Sequence, residues 1–450
     1  MANFYTDNPD IQFHMEHMDL GPIVRLQEEG FADAGKVDYA PVDEADAIDN
    51  YRRVLDIVGE ISGETIAPLS PEIDAEGCHL EDGRVTYAKG TRKSLDALAQ
   101  ADLMGFTLPR RYGGLNCPNI IYTIATEMVS RADASLMNIF GLQGIAETIN
   151  AFASEDQKAT YLPKFSTGEV TGAMVLTEPD AGSDLQNIQL RAYQDENGDW
   201  RLNGVKRFIT NGCGEVLLVL ARSEESETGG LGLSLFLCER NDKIRVRRIE
   251  EKMGIHGSPT CELQFNDAPT QLVGERRRGL VTYVMALMNG ARIGIAAQSL
   301  GIAEAAIREA RVYAYHRQQF GRRIEEFPAV ADLLVEMRLQ IEAARALLYE
   351  TSMVVDREYG LLRKMAGIED SAERAAVNKE QKKCKRLAAL LTPLAKYWCS
   401  EMANRVTHDA VSILGGSGYM KDYPVEQYLR DARITSIYEG TSQLQVLAAV

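Results

Sequence analysis

Several signatures that would narrow a function quickly are missing from these 450 residues. There is no CxxC pair, no HExxH and no close Cys/His cluster. Seven cysteines (Cys78, Cys117, Cys213, Cys238, Cys261, Cys384 and Cys399) are scattered, and an odd count without metal spacing reads as reduced thiols in an intracellular protein. No metal is expected; His14 and His17, three apart, could meet on a helix but carry little weight alone. Neither GxGxxG after a first strand nor GxxxxGK[ST] occurs, so the two common nucleotide motifs are excluded. No stretch approaches the ~18 consecutive apolar residues of a membrane span. The N-terminal MANFYTDNPDIQFHMEHMDLG lacks a basic region and a long apolar segment, so a cytoplasmic protein without an integral membrane segment is expected. Positive charge is also short: 49 Lys and Arg against 65 Asp and Glu leave −16. Such a balance argues against nonspecific nucleic-acid binding, while a local basic patch for an anionic ligand stays open.

What is present is an ordinary globular mixture, 45% hydrophobic and 25% charged, long enough for two or three domains. The texture divides it into an N-terminal extension over 1–43, a helical domain over 44–169, a β domain over 170–275 and a second helical domain over 276–450. In the first helical domain, helices are predicted at 45–65, 92–103, 118–131, 138–152 and 154–164. Alternation then predicts strands at 171–177, 187–193, 199–203, 216–222, 232–238, 243–249 and 260–266. Short strands without intervening helices point to an antiparallel sheet or small barrel, in an α+β fold. After Gly279 the 3.6 period returns over 280–316, 328–354 and 384–413, and helices of this length must pack as a bundle. The polar stretch from Asp356 to Lys383 reads as a surface loop or the solvated start of the next helix. Residues 442–450 resemble the first turns of an uncapped apolar helix, which suggests a chain continuing past Val450.

Four segments could carry chemistry. Thr177-Glu178-Pro179-Asp180-Ala181-Gly182-Ser183-Asp184 and Lys206-Arg207-Phe208-Ile209-Thr210-Asn211-Gly212 offer hydroxyls and turn N–H groups to an anion or a flat polar heterocycle, or are simply turn formers. Arg317, Arg322 and Arg323 around Phe320 suit a phosphate or pyrophosphate, or cap a helix. Gly415-Gly416-Ser417-Gly418 is a tight turn or a place where the backbone nears a cofactor. Tyr438-Glu439-Gly440-Thr441 sets a carboxylate beside an aromatic residue and a glycine, as either a base held from water or a helix end.

In order along residues 45–447, the segments LTEPDAGSD, FITNG, RQQFGR, LGGSGYMKDYPVEQYLRDAR and IYEGTSQLQ resemble the acyl-CoA dehydrogenase family. His256-Gly257-Ser258-Pro259-Thr260, Met288-Asn289-Gly290-Ala291-Arg292 and the extended N-terminus are more similar to its longer bacterial members, which carry an additional C-terminal region. The resemblance implies an N-terminal helical domain, a middle antiparallel β-barrel and a C-terminal four-helix bundle. It also implies FAD-dependent oxidation of an acyl-CoA thioester to the trans-2-enoyl-CoA, with an electron-transfer flavoprotein as acceptor.

By similarity, Glu439 takes the pro-R α-proton while the β-hydrogen leaves as hydride to flavin N5, and Tyr438 walls the site. Some relatives place the base on another helix, where this chain has Ala291; alanine cannot take a proton. Leu176, Thr177, Phe208 and Thr210 match positions lining the flavin, with Thr441 also on the cofactor side. Arg317, Phe320, Gly415 and Gly416 match residues that reach FAD from a neighbouring subunit, which implies a homodimer or homotetramer. Ser183, Met288 and Arg292 match the acyl-CoA side. Ser412 and Pro328 stand where common relatives have cofactor-contacting glutamines. The acyl pocket is expected along 122–145, with Met128, Met137, Phe140 and Leu142, together with Met285 and Met288; Asn138 and Gln143 could admit a polar acyl group. Two rivals keep much of this site: an acyl-CoA oxidase using oxygen, and a non-catalytic acyl-CoA-binding protein.

Overall fold

The computed structural model describes residues 2–141 and 143–450, and for Gln143 the backbone only. Helices α1 (Pro9–His17) and α2 (Gly21–Gln27) occupy the N-terminal extension. They are followed by α3 (Glu44–Glu60), α4 (Ala67–Glu76), a hairpin of β1 (His79–Glu81) and β2 (Arg84–Thr86), and α5 (Lys89–Gln100). Then come α6 (Asn119–Ala132), α7 (Ala134–Phe140), α8 (Gln143–Phe152) and α9 (Glu155–Thr167). The last of these shows why a sequence marks its own ends. Ser154 and Gln157 form a reciprocal capping box at its start, and Gly168, at φ 73°, closes it in the left-handed conformation.

The chain divides into two compact units. One holds Glu72–Leu115 and Ser135–Ala291 and contains the β domain. Its strands are β3 (Gly172–Val175), β4 (Arg191–Gln194), β5 (Trp200–Thr210), β6 (Val216–Arg222), β7 (Leu233–Glu239), β8 (Ile244–Ile249) and β9 (Thr260–Val273). The sheet runs β3-β6-β4-β5-β9-β7, and β7 pairs back onto β6, closing the barrel. Most pairings are antiparallel, as expected, but β3 lies parallel to β6 from Gly172↔Val216 to Val175↔Val219, and β4 meets β6 in parallel at Arg191↔Arg222. Buried on both faces, β6 is a continuous apolar run. Leu217, Val219 and Ala221 join one core with Phe236 and Phe265, while Leu218 and Leu220 join another with Ile149, Leu162 and Phe165 of α8 and α9.

The other unit holds Met1–Pro71, Asn116–Ala134 and Arg292–Val450. After α10 (Met285–His316) and a two-residue-stranded hairpin, β10 (Gln318–Gln319) and β11 (Arg322–Arg323), come α11 (Pro328–Ala366) and α12 (Ser371–Leu414). The short α13 (Val425–Ala432) and α14 (Ser442–Ala449) follow. Met337, Ile341, Ala344 and Leu348 repeat every three or four residues and form the buried face of α11, against Cys399, Met402, Ala403 and Val406 of α12. The polar stretch 356–383 is mostly helix, with a loop only at 367–370, and from Ser371 it is the solvated start of the next helix. Helix α11 continues to Ala366 and α12 starts at Ser371, where the Asp370 carboxylate accepts from the Glu373 N–H at 2.7 Å. Glu and Lys are good helix formers, so loss of the apolar stripe marked exposure and not a break.

By length and composition, the helical stretch Gly279–His316 could cross a membrane. Its Ala296, Leu300, Ala303 and Ala310 are instead buried inside the chain.

Candidate functional site

Tyr438–Thr441 lies between a 3-10 turn, Arg433–Ser436, and α14. Glu439 and Gly440 take φ values of 53° and 90°, two successive residues in the left-handed region. For a glutamate this costs on the order of 1 kcal/mol, so the surrounding structure must impose it. It does so through the two carbonyls of the turn. Lys396 Nζ donates to Gly440 O at 2.8 Å, and Gln445 Nε2 donates to Gly440 O at 2.9 Å and Glu439 O at 3.2 Å. Glycine suits 440 because φ of 90° strains any other L residue, and a Cβ there, 2.6 Å from Gln445 Nε2, would also displace the amide that holds the turn. The Thr441 hydroxyl caps α14, accepting from the Leu444 N–H at 3.4 Å. The Tyr438 hydroxyl donates to Gln298 Oε1 on α10, and Gln298 Nε2 donates to Ala134 O at 2.8 Å.

Electrostatics single out Glu439. Burial pushes its carboxyl up to about 7, while Lys396 and Arg292 pull the other way. Among the described residues none donates a hydrogen bond to that carboxylate, so the cations act on it through the field alone. Lys396 has no exposed surface, and burial brings it down to about 8 against the attraction of Glu439. Arg292, 8% exposed, is likewise lowered by burial and held up by Glu439; its Nη2 is 3.8 Å from the position of a Cβ on Gly440. Burial, and then the Glu439 charge, raise the Tyr438 phenol. A carboxylate titrating near neutrality can take and return a proton at working pH.

In the barrel unit, the segment expected to be one long turn at 206–212 is mostly strand β5. Its useful feature is a bulge: Lys206 pairs with Leu263 and Ile209 with Cys261, leaving one extra residue between them. Phe208 sits there at φ 58°, and the bulge turns its ring outward to 52% exposure beneath the Arg207 guanidinium, 4.6 Å from the ring centre. The neighbouring 176–178 segment is pinned from below. Lys206, fully buried, donates to Leu176 O at 2.7 Å and pairs with Glu178 at 3.0 Å; Glu178 accepts from the N–H groups of Gln189 and Leu190 at 2.6 and 2.8 Å. Arg207 N donates to Thr177 O at 2.9 Å. Leu176 is buried, Thr177 and Thr210 are partly open, and Ser183 is exposed in the turn that follows. Met288 is partly buried against the core of this unit. Of the expected pocket residues, Met128, Met137 and Phe140 are closed into core packing. Met285 is 40% exposed, Asn138 is buried, and Leu142 and the side chain of Gln143 lie outside the described residues.

The remaining expected positions gather at the end of α10. Tyr313 Oη and Ser417 Oγ are 3.2 Å apart, and the Tyr313 ring meets Tyr423 edge-on at 5.5 Å, which brings the end of α10 to the glycine turn. Arg317 is exposed just beyond, Phe320 is 94% exposed at the β10–β11 tip, and nothing lies within 4 Å of a Cβ on Gly415 or Gly416. Ser412, at a departure from the family pattern, uses its hydroxyl on His408 O at 3.0 Å. His17 stacks on Phe13 at 4.3 Å and His14 meets Tyr349 edge-on at 5.0 Å; no metal-holding group occurs among the described residues.

Lys396, Gln298 and Gln445 are not singled out from the sequence, and Lys206 enters only as the start of a candidate segment, without the buried pairing to Glu178. A signal existed for Lys396: it shares three- and four-residue spacing with Thr392, Cys399, Ser400 and Ala403, all on the buried face of α12. A lysine in a core stripe needs a partner.

Three sequence profiles of one family match the chain. They are the acyl-CoA dehydrogenase N-terminal domain over residues 49–169, the middle domain over 173–268 and the C-terminal domain over 293–443. A 3-methylmercaptopropionyl-CoA dehydrogenase of Ruegeria pomeroyi is 33% identical over 467 residues, spanning 97% of this chain and 74% of that protein. A solved structure described as the electron transferring flavoprotein of Acidaminococcus fermentans, towards a mechanism of flavin-based electron bifurcation, contains a chain that superposes with a TM-score of 0.76 at 34% identity, covering 89% of this chain and 96% of that one. Butyryl-CoA dehydrogenase from Megasphaera elsdenii superposes with a TM-score of 0.75 at 32% identity, covering 89% and 97%. The chain belongs to the acyl-CoA dehydrogenase family, and it is an enzyme of that class.

Proposed function

We propose that the protein dehydrogenates a short acyl-CoA thioester to its trans-2-enoyl-CoA, with Glu439 as the base that takes the α-proton. The observation that carries this is the Glu439 carboxyl: partly buried, fixed in a left-handed turn, free of hydrogen-bond donors among the described residues, and brought up to about 7 by burial. A carboxylate already fully paired would be a weak base. Partly desolvated with two cations near it, Glu439 is ionised enough to act and basic enough to accept a carbon-bound proton. Its own N–H, or another donor at the thioester oxygen, favours the enolate-like state.

FAD, when bound, supplies the acceptor for the β-hydride. The barrel residues fit such a group: Phe208 offers a half-exposed aromatic face, Thr210 a hydroxyl, and Leu176 and Thr177 a backbone edge pinned by Lys206. Arg317, Phe320, Gly415, Gly416 and Thr441 are assigned to the cofactor as well, the first four from a neighbouring subunit in a dimer or tetramer. The open space around both glycines and the nearly bare Phe320 ring support that reading. Ser183, Met288, Arg292 and Tyr438 are assigned to the acyl-CoA side. Short acyl chains are favoured because the Ruegeria and Megasphaera relatives bear the names of short-chain substrates. The likeness to a chain of the flavoprotein structure supports an electron-transfer flavoprotein as acceptor.

The test is anaerobic bleaching of enzyme-bound flavin by a panel of CoA thioesters, for the wild type and Glu439→Gln. Butyryl- and 3-methylthiopropionyl-CoA should bleach fastest and palmitoyl-CoA slowest. Glu439→Gln should keep its flavin and lose about 10³-fold or more in rate, within the range of a general base. Wild-type bleaching by the Gln variant would remove Glu439 from the mechanism.

A further inference from the structure

Lys396 has no role in the reaction as described so far, yet it is among the largest side chains with no exposed surface. Filling that volume would be cheaper with methionine or leucine, because a buried ammonium costs several kcal/mol unless something compensates. Its compensation is specific. Nζ donates to the carbonyl of Gly440 at 2.8 Å, one residue from the carboxylate, and its strongest ionic attraction is to Glu439 itself.

We propose that Lys396 is a positioning residue for the reaction: its hydrogen bond holds the Glu439–Gly440 turn in the left-handed conformation, and its charge sets the pH at which Glu439 becomes a base. This rests on Glu439 being that base. Among the described residues, groups from three helices face the turn. Arg292 and Gln298 come from α10, Lys396 and Glu401 from α12, and Gln445 from α14, with Tyr438 alongside. Arg292 also favours the carboxylate, while Glu401 favours the charged form of Lys396 and accepts from Ser442. Lys396 both bonds the turn, at Gly440 O, and carries charge toward Glu439, so one side chain couples geometry and charge. Gln445 holds the same carbonyl without a charge, which makes the two functions separable.

The experiment is the pH dependence of single-turnover flavin bleaching in Lys396→Met and Lys396→Gln, with flavin content and thermal melting as folding controls. Removing a cation near a carboxylate raises its pKa, so the acidic limb should move to higher pH in both variants. A shift of about one unit lowers the rate at a fixed pH on that limb about tenfold. The plateau at high pH should fall in Lys396→Met, which loses the hydrogen bond, and hold in Lys396→Gln, whose amide can still donate to Gly440 O. Should Lys396→Met fail to fold, the limb in Lys396→Gln decides. A wild-type limb in a folded variant overturns the inference. Full activity in Glu439→Gln would instead overturn the assignment of the base, so the two failures are distinguishable.

Discussion

Arg345 and Lys396 are both cations without exposed surface, on the packed helices α11 and α12, and each faces carboxylates in the same unit. Around Arg345 every charge is met by contact. Its Nη2 donates to Glu127 Oε1 at 2.7 Å and Glu304 Oε2 at 3.0 Å, Nη1 donates to Asp10 Oδ2 at 3.3 Å, and Tyr349 Oη donates to Glu127 Oε2 at 2.6 Å. Burial alone would raise Glu304, but Arg345 and Arg308 bring it down to about 2. Around Glu439 the cations are near and the hydrogen bonds go to backbone carbonyls, so burial wins and the carboxyl rises to about 7. One set of residue types therefore gives a structural clamp in one place and a poised base in the other. The difference is whether donors reach the carboxylate oxygens.

That contrast predicts a double dissociation. Arg345→Met leaves Glu127 and Glu304 buried without their cation and should cost about 3–5 kcal/mol, read by urea unfolding. Flavin bleaching by the fraction still folded should change little. Glu439→Gln should do the reverse: bleaching collapses, while stability above pH 7 rises slightly, since a carboxyl whose folded pKa is raised disfavours the ionised state. A rate loss in folded Arg345→Met matching that of Glu439→Gln would break the division into clamp and base.

The pH dependence sharpens it next. Glu304 is held below the ordinary carboxyl value, so its contribution is present above about pH 4.5 and is lost as pH falls toward about 2. The shift corresponds to about 3 kcal/mol as an upper order of magnitude. Replacing Glu304 with Gln should flatten the acid limb of the unfolding curve between those values. Glu439 has the opposite sign: the folded protein holds its proton between about 4.5 and 7, so this group makes stability fall as pH rises through that window. An acid limb unchanged in Glu304→Gln would show that its carboxylate is not held down by Arg345 and Arg308.

How much of this was legible in the sequence depended on whether a residue's neighbours lie close along the chain. Strand 216–222 was read to its last residue, because an apolar run between turn residues carries its own boundaries. For 356–383 the sequence leaves a surface loop and the solvated start of the next helix open; the second holds from Ser371, while the run of α11 to Ala366 is not legible, since a helix beyond the core keeps its propensity but drops its apolar stripe. The motif around Phe208 marks it as a candidate for the cofactor side, but the bulge that exposes it depends on register with β9, 53 residues away (261 − 208). Glu439 was legible as a candidate base from its motif. Lys396, which grips the adjacent carbonyl, was not: a lysine inside a long helix reads as a solvated face until the partner helix is in place. The Arg345 cluster draws on Asp10, Glu127 and Glu304, and only tertiary packing brings those together.

The smallest expected effect tests the clamp at its edge. Tyr349 is fully buried, and its phenol is raised by burial and by the charge of Glu127, so it stays protonated and donates. Tyr349→Phe removes one donor from Glu127 without opening a cavity, and Arg345 still holds the other carboxylate oxygen. A hydrogen bond to a charged group contributes about 1.5–3 kcal/mol, so the loss should be smaller than for Arg345→Met. Because the two residues share Glu127, their effects should not add. In Arg345→Met the Tyr349 phenol is the donor left to a Glu127 carboxylate stripped of that cation, so removing it there should cost a different amount than in the wild type, and the coupling in a double-mutant cycle should reach about 0.5–3 kcal/mol. Strict additivity would mean that Tyr349 and Arg345 support the helices independently, and that the cluster is a set of pairs instead of a clamp.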